Sequence, residues 1–355
     1  MSIKNFGLPY TGSKSRIAPW LMEMLPSCEN FVDVFAGGCA VSHAMILYGK
    51  ARKITLNDIQ GDVVNLFIDA LHGDLEKYDP YIWIDRETFF KKKDSNPFIR
   101  LAYSFGNNGK DYLFSRQLEE YKHSVHMALI YNDWTLFNDL CPELSEKCKN
   151  ELLKFPIIEN DYSKSIRERF LKFNKKCSEI LRDISGNNWS SDFIQQHPFY
   201  RTAKKECISH VKSNTGISGI IASQDILNIL RIESVQSSSH FAKIYRINQT
   251  NNNIDNFPII NAQSKDYRLL DIPNNSVVFC DPPYKDSDVL YNIKFDYESF
   301  YDWCLEKAKN NDVFVTEYNI EHPHFQLIGE KARQISLNGK GSKGVRTERL
   351  YKVIP

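Results

Sequence analysis

The sequence predicts an α/β protein with parallel β-α-β packing, whose sheet is assembled from both ends of the chain around a long insertion. Strands and helices alternate over residues 1–75, and the same alternation returns after about residue 255. The intervening 76–254 is Lys/Asn/Ser-rich and dotted with aromatics, with mostly helical pattern and few strand signals.

In order, the first part predicts a helix near Ser15–Leu25, a strand Phe31–Phe35, a helix Ala40–Tyr48 closed by Gly49, a strand Lys53–Asn57 and a helix from about Gln60. Residues 76–254 read as one inserted domain, with the Asn-rich stretch Asn248–Asn256 as its exposed return link. Within it, Ser218–Gln236 is patterned in Ile, Leu, Gln and Ser but has no fixed period that would imply a solenoid. The last part predicts strands at Val277–Cys280, Val313–Thr316 and Leu350–Ile354. It also predicts a helix Tyr297–Lys309 with Phe300, Trp303, Cys304 and Ala308 on one face.

Composition narrows the function classes. A net charge of +1 gives no global sign of a nucleic-acid partner, so any such surface must be local. The eight cysteines are scattered, form no C-x-x-C pair and show no Cys/His spacing of a zinc site, which predicts a reduced cytoplasmic protein without a metal. Met1 to Lys14 carries no apolar signal core, and nowhere do 18 apolar residues run together. Secretion and membrane insertion are therefore not expected.

The residues suited to chemistry lie at predicted strand ends. Asp281-Pro282-Pro283-Tyr284 follows the apolar run Ser276–Cys280. It combines a carboxylate that can accept from an amine, two stiff prolines and an aromatic face that can stack on a flat ring. A strand followed by Asp-Pro is also an ordinary turn signal, so the company of these four residues matters. The first strand leads into Phe35-Ala36-Gly37-Gly38-Cys39, a small-residue turn opening a helix, where a ligand can approach the backbone and meet free N–H groups. Asp58 ends the second strand, 20 residues after Gly38 (58 − 38), the offset at which an acid meets ribose hydroxyls in a doubly wound sheet; it is equally placed to cap the next helix. In Pro9-Tyr10-Thr11-Gly12-Ser13-Lys14, Lys14 can pair with a ligand carboxylate and Tyr10 can pack on its apolar part, although such a turn is common on surfaces.

Together, PYTGSK, FVDVFAGGCA, LNDIQGDVVN, SKDYRLLDIP and FCDPPY resemble, in that order, the Dam-like D12 class of adenine-specific DNA methyltransferases. The segment Leu101–Phe114 is similar to the phage and prophage branch of that class. The resemblance implies a Rossmann-like, S-adenosylmethionine-dependent methyltransferase sheet with a mostly helical inserted target-recognition domain. Tyr10, Lys14, Phe35, Ala36, Gly37, Gly38, Cys39, Asp58, Asp266 and Tyr267 would then hold S-adenosylmethionine, the last two near its adenine, and S-adenosylhomocysteine would be the product. Asp281, Pro282, Pro283 and Tyr284 would hold the target base. Cys39 departs from the family pattern, which has a second Gly there.

Double-stranded DNA is the partner implied; whether a cognate restriction endonuclease accompanies the protein is left open by the sequence, and a monomer is the favoured state. Extruding the base costs a few kcal/mol, to be offset by backbone contacts. Residues 331–355 hold seven Lys or Arg against one acid, Glu348, and the Gly/Ser hairpin Asn338–Gly344 with Lys340, Lys343 and Arg346 is the expected DNA grip. The run Arg167, Arg169, Lys172, Lys175 and Lys176 is either a second grip or a solvated face. Chemically, Asp281 and the Pro282 carbonyl would each accept one N–H of the adenine amine and localise its lone pair, with Tyr284 stacked on the ring. Rival readings are methylation of cytosine N4, a non-catalytic DNA-binding relative, and methylation of RNA or a protein glutamine.

Overall fold

A computed structural model describes residues 6–72, 82–116, 119–158, 162–185, 258–284, 295–335 and 344–355. The expected boundaries at 75/76 and 254/255, the link Asn248–Asn256, the stretch Ser218–Gln236, and Lys340 and Lys343 of the hairpin lie outside these residues. In chain order the elements are α1 (Ala18–Met24), β1 (Cys28–Asp33), α2 (Ala40–Leu47), β2 (Ala51–Asn57) and α3 (Gly61–His72), then α4 (Arg86–Lys92), α5 (Pro97–Ala102), α6 (Glu119–Ile130), α7 (Thr135–Leu140), α8 (Pro142–Leu152) and α9 (Tyr162–Ser185), then β3 (Ile259–Gln263), β4 (Ser276–Cys280), α10 (Tyr297–Ala308), β5 (Asp312–Glu317), β6 (Phe325–Ile335) and β7 (Gly344–Val353). The chain divides into two compact units, Met1–Lys77 with Lys243–Pro355, and Tyr78–Ala242.

The first unit is built on a seven-stranded sheet in the order β3-β2-β1-β4-β5-β7-β6. The five strands β1 to β5 pair in parallel, while β7 runs antiparallel to both β5 and β6. Strands covered on both faces read as continuous apolar runs, and every residue of β4 is buried. Phe31 of β1 and Phe279 of β4 stack across the pair at 6.5 Å. At α10, Asp296 accepts from the Ser299 N–H at 3.1 Å as N-cap, and Phe300, Cys304 and Ala308 are buried.

Chain direction across the sheet fixes where a ligand can enter. From β1 the chain winds outward through α2 to β2, whereas β4, on the other side of β1, leads through α10 to β5. The order therefore reverses between β1 and β4, and in open α/β sheets the crevice beyond the carboxyl ends at such a reversal is the ligand site. Both sequence motifs, Phe35–Cys39 and Asp281–Tyr284, leave the sheet there.

Two strands were not anticipated, β3 and β6, and β7 is longer than the expected Leu350–Ile354. The two missed strands lie at the two edges of the sheet, where one side of the ladder is open and polar residues are tolerated. β1 ends two residues before the expected Phe35, and at its exit the Val34 carbonyl accepts from the Asn57 side chain at 3.0 Å.

The described part of the second unit is helical. Asp85 and Asn96 cap α4 and α5 by accepting from the Thr88 and Ile99 N–H groups at 2.7 and 3.0 Å. Helices α6 to α9 enclose a core that includes Leu129, Trp134, Phe137, Leu144, Phe170 and Phe173. Segment Leu101–Phe114 packs as an aromatic cluster beside a turn: Tyr103, Tyr112 and Phe114 are buried, and Asn107 and Gly109 take positive φ. Of the basic run on α9, Arg169 is buried. It donates to the Leu129, Ala128, Leu152 and Phe155 carbonyls and to Asn132 Oδ1 at 2.9–3.3 Å, closing the ends of α6 and α8. Lys172 lies 4.4 Å from the Phe155 ring, and Lys175 and Lys176 approach Glu179 at 3.9 and 3.7 Å. Arg169 is thus a structural residue and not a DNA grip. Among the described residues no helix is long and apolar enough to cross a membrane.

Candidate active site

The turn after β1 is shaped by close packing against the amino-terminal segment. Leu8 N–H donates to the Gly38 carbonyl at 2.7 Å. A Cβ on Gly7, whose φ is +65°, would lie 2.3 Å from that carbonyl oxygen, and one on Gly38 would lie 2.7 Å from Tyr10 Cβ. These glycines therefore give room to protein atoms, and Tyr10 sits against the turn as a lid on Gly37 and Gly38. Cys39 is fully buried at the N-cap of α2 with φ +58°, a left-handed conformation that glycine adopts without strain. Cys39, where a second Gly was expected, thus takes a backbone conformation open to glycine. Burial holds its thiol well above the ordinary range, so it stays protonated.

Asp58 links two loops. Its Oδ2 accepts from Gly37 N–H and its Oδ1 from Gln60 N–H, both at 2.8 Å, so one oxygen caps the approach to α3 and the other braces the turn after β1. Burial raises its pKa and the two N–H bonds oppose that. Asn57 beside it was missed as a site residue. Its amide donates to the Val34 and Lys265 carbonyls and accepts from Lys265 N–H, all at 3.0 Å, which ties together the exits of β1, β2 and β3. Only its place at a strand end hinted at this.

Around Phe35 lies an aromatic platform. Its ring is 5.6–5.8 Å from those of Tyr267, Phe295 and Phe300. Asp266 is engaged by Arg268, with Nε on Oδ1 at 2.9 Å and Nη2 on Oδ2 at 2.6 Å, and this pairing lowers its pKa.

After β4, Asp281 is held by two partners from distant segments. Its Oδ2 takes the Lys14 ammonium at 2.7 Å and its Oδ1 the Thr316 hydroxyl at 2.8 Å. Lys14, expected at a cofactor carboxylate, lies on the Asp281 carboxylate, and its Nζ is 4.7 Å from the centre of the Tyr284 ring. Burial raises the Asp281 pKa and Lys14 opposes it. Tyr284 is buried, meets Tyr318 edge-on at 4.5 Å and donates its hydroxyl to Glu348 Oε2 at 2.6 Å. The Pro283 carbonyl accepts from Tyr297 Oη at 2.6 Å. Thr316 and Glu348 also escaped the sequence reading. For Glu348 a signal existed, since it is the one acid in a basic stretch.

Arg346 of β7 is exposed, donates to Tyr318 Oη at 2.9 Å and lies 5.0 Å over that ring. With Tyr318, Thr347 and Arg349 it lines an open cleft of about 260 Å³.

Asp33 adds a third carboxyl behind the turn. It is buried, accepts from Ser42 Oγ at 2.6 Å, and its pKa is pushed up to about 7 by burial, with the charges of Asp281 and Asp58 adding to the rise. On unfolding it returns to an ordinary 3.8, so the folded form binds the proton more tightly. The stability this gives is complete below about pH 4 and is lost as pH rises towards 7. We expect the wild type to lose on the order of 2–4 kcal/mol relative to Asp33→Asn across that window. Thermal unfolding of both at pH 4 and pH 8 checks this, and an unchanged difference between them would refute it.

The donor set fits a cationic nucleoside ligand. Asp33, Asp58 and Asp281 gather carboxyls at the switch point, and Phe35 and Tyr267 supply ring surface. Gln263 Oε1, buried at the carboxyl end of β3, has no hydrogen-bond partner among the described residues. Fold and site together define a Rossmann-like α/β domain with its ligand crevice at the reversal of the sheet.

Comparison with protein families makes the assignment specific. The model of the D12 class N6 adenine-specific DNA methyltransferase matches residues 10–310, and the chain belongs to that family. Adenine-specific DNA methylation is thus its activity class, with S-adenosylmethionine the methyl source that goes with it. Thr316, Arg346 and Glu348 lie beyond the matched residues. No curated protein matches the chain.

Proposed function

We propose that this protein transfers a methyl group to the exocyclic N6 amine of an adenine flipped out of duplex DNA. The observation that carries the reading is the convergence of Lys14, Asp281, Thr316 and Tyr284 at the switch point, beside the Phe35–Cys39 turn. S-adenosylmethionine, when bound, supplies an electrophilic methyl on a sulfonium. Phe35, Ala36, Gly37, Gly38, Cys39, Asp58, Asp266 and Tyr267, with Tyr10 over the turn, would hold it. Lys14 would serve both sides, its charge favouring the ionised form of Asp281 against the effect of burial and its ammonium pairing with the methionine carboxylate.

The amine of adenine is a poor nucleophile because its lone pair is delocalised into the ring. Asp281 is oriented by Thr316 and Lys14, and each of its oxygens keeps a lone pair for an N–H of the amine. With the Pro282 carbonyl accepting the second N–H, the nitrogen turns tetrahedral, and these bonds strengthen as positive charge develops. Tyr284 and Tyr318 give the base aromatic surface. Arg346 beside them, with Lys340 and Lys343, grips the phosphates, and the second unit reads the target sequence. The Leu101–Phe114 segment supports placement in the phage and prophage branch.

The test is transfer of labelled methyl from S-adenosylmethionine to plasmid DNA, followed by nucleoside analysis. N6-methyladenine is expected, and N4-methylcytosine or an unlabelled plasmid would overturn the proposal. Sequencing with modified-base detection on the same DNA reads out the recognition site.

A further inference from the structure

Glu348 is a carboxylate with no exposed surface, on the same face of β7 as the buried Leu350 and the exposed Arg346. β7 lies between β5 and β6, in register Glu317↔Arg349 with one and Lys331↔Glu348 with the other. That interior position carries Glu348 to the Tyr284 hydroxyl, 64 residues away in sequence, at 2.6 Å. Burying a carboxylate is costly, so a chain that keeps one beside the DPPY motif gains something a leucine would not give.

Hydrogen-bond geometry shows what it gains. The Tyr284 ring turns about two side-chain torsions, and a bond to its hydroxyl fixes the far end of the ring. Tyr318 meets it edge-on at 4.5 Å, and Lys14 stands 4.7 Å from its centre. Burial pushes the phenol well above its ordinary range, so the hydroxyl keeps its proton and remains the donor. Lys14 also holds Asp281, so a rotation of the ring would disturb the ammonium that orients the carboxylate.

We propose that Glu348 is a positioning residue for methyl transfer: by accepting the Tyr284 hydroxyl it locks the ring against which the extruded base is held. This rests on the DNA methyltransferase reading above. Glu348 acts through Tyr284 and does not touch the base. An acceptor oxygen at that place is what the role requires, so glutamine should serve and leucine should not.

The experiment compares Glu348→Gln, Glu348→Leu, Tyr284→Phe and the Tyr284→Phe/Glu348→Leu pair with the wild type, in steady-state methyl transfer to plasmid DNA and in thermal unfolding. We expect Glu348→Leu to lose at least thirtyfold in kcat, with KM for S-adenosylmethionine within threefold of wild type. Glu348→Gln should recover at least a third of wild-type kcat. The double variant should be no worse than the poorer of the two single variants, because both changes remove the Tyr284–Glu348 bond. Should Glu348→Leu fail to fold, Tyr284→Phe removes that bond from the other side and is expected to lower kcat at least tenfold. The proposal is overturned by wild-type kcat in Glu348→Leu or Tyr284→Phe, by Glu348→Gln as impaired as Glu348→Leu, or by a loss confined to KM. A wild type that methylates no DNA overturns the functional reading itself, an outcome distinct from an active wild type indifferent to position 348.

Discussion

Asp281→Ala is expected to lower kcat for methyl transfer by about a thousandfold or more, the upper range for loss of a group that stabilises charge in the transition state. Affinity for S-adenosylmethionine should change by no more than about tenfold, ~1.4 kcal/mol. The contrast follows from the separation of duties in the site. Phe35, Asp58 and Tyr267 follow β1, β2 and β3, whereas Asp281 follows β4 and is held by Lys14 and by Thr316 of β5. Removing the carboxylate also leaves the Lys14 ammonium, only 6% exposed, without its ion-pair partner. Breaking a buried pair from one side costs about 3–5 kcal/mol, so the variant should unfold at a lower temperature. Asp281→Asn is the companion that separates the two effects, since it preserves volume and one acceptor oxygen. Methyl transfer by Asp281→Ala at the wild-type rate, measured with cofactor binding by calorimetry, would remove Asp281 from the mechanism.

The second large effect concerns folding and not chemistry. Arg169→Met is expected to destabilise the second unit by about 3–5 kcal/mol, because it leaves several buried carbonyls at the ends of α6 and α8 without their donor. The guanidinium is 3% exposed and donates to four carbonyls and Asn132. A phosphate contact would behave differently: its loss would weaken DNA binding evenly across sequences and reduce the salt slope by about 1. Denaturant unfolding and DNA titrations at several salt concentrations discriminate the two. An Arg169→Met protein as stable as wild type but with a reduced salt slope would restore the surface reading.

Arg169 also shows where sequence reasoning loses sight of the molecule. As one of five cations in ten residues it looks like part of a charged face. Yet at helical spacing it falls beside Ile166, Phe170, Phe173 and Cys177, the stripe that α9 buries. The periodicity held the information that the charge count obscured. β4 and β5 were legible because buried parallel strands are short apolar runs bounded by turn residues, and β1 and β2 because each buries its carboxyl half just before a turn. β3 was not, since as an edge strand it buries none of its residues fully and its apolar residues form too short a run to stand out. The two strand-end motifs could be read as motifs, and their meeting follows from a sheet joining both ends of the chain. The partners of Asp281 could not be read, because Lys14 and Thr316 reach it from segments whose convergence only the folded sheet determines. Cys39 departs from the expected Gly pattern, and its φ of +58° lies in the left-handed region open to glycine.

The pairing of β1 with β4 has a consequence for how the chain acquires its shape. These neighbours at the centre of the sheet are separated by the whole of the second unit in sequence. During synthesis β1 and β2 leave the ribosome long before β4 exists, so their outer ladder positions stay open while the middle of the chain, contiguous and helical where described, is free to compact on its own. The nascent protein thus carries an unfinished parallel ribbon through most of translation, and the crevice between β1 and β4 comes into being only when that late strand docks.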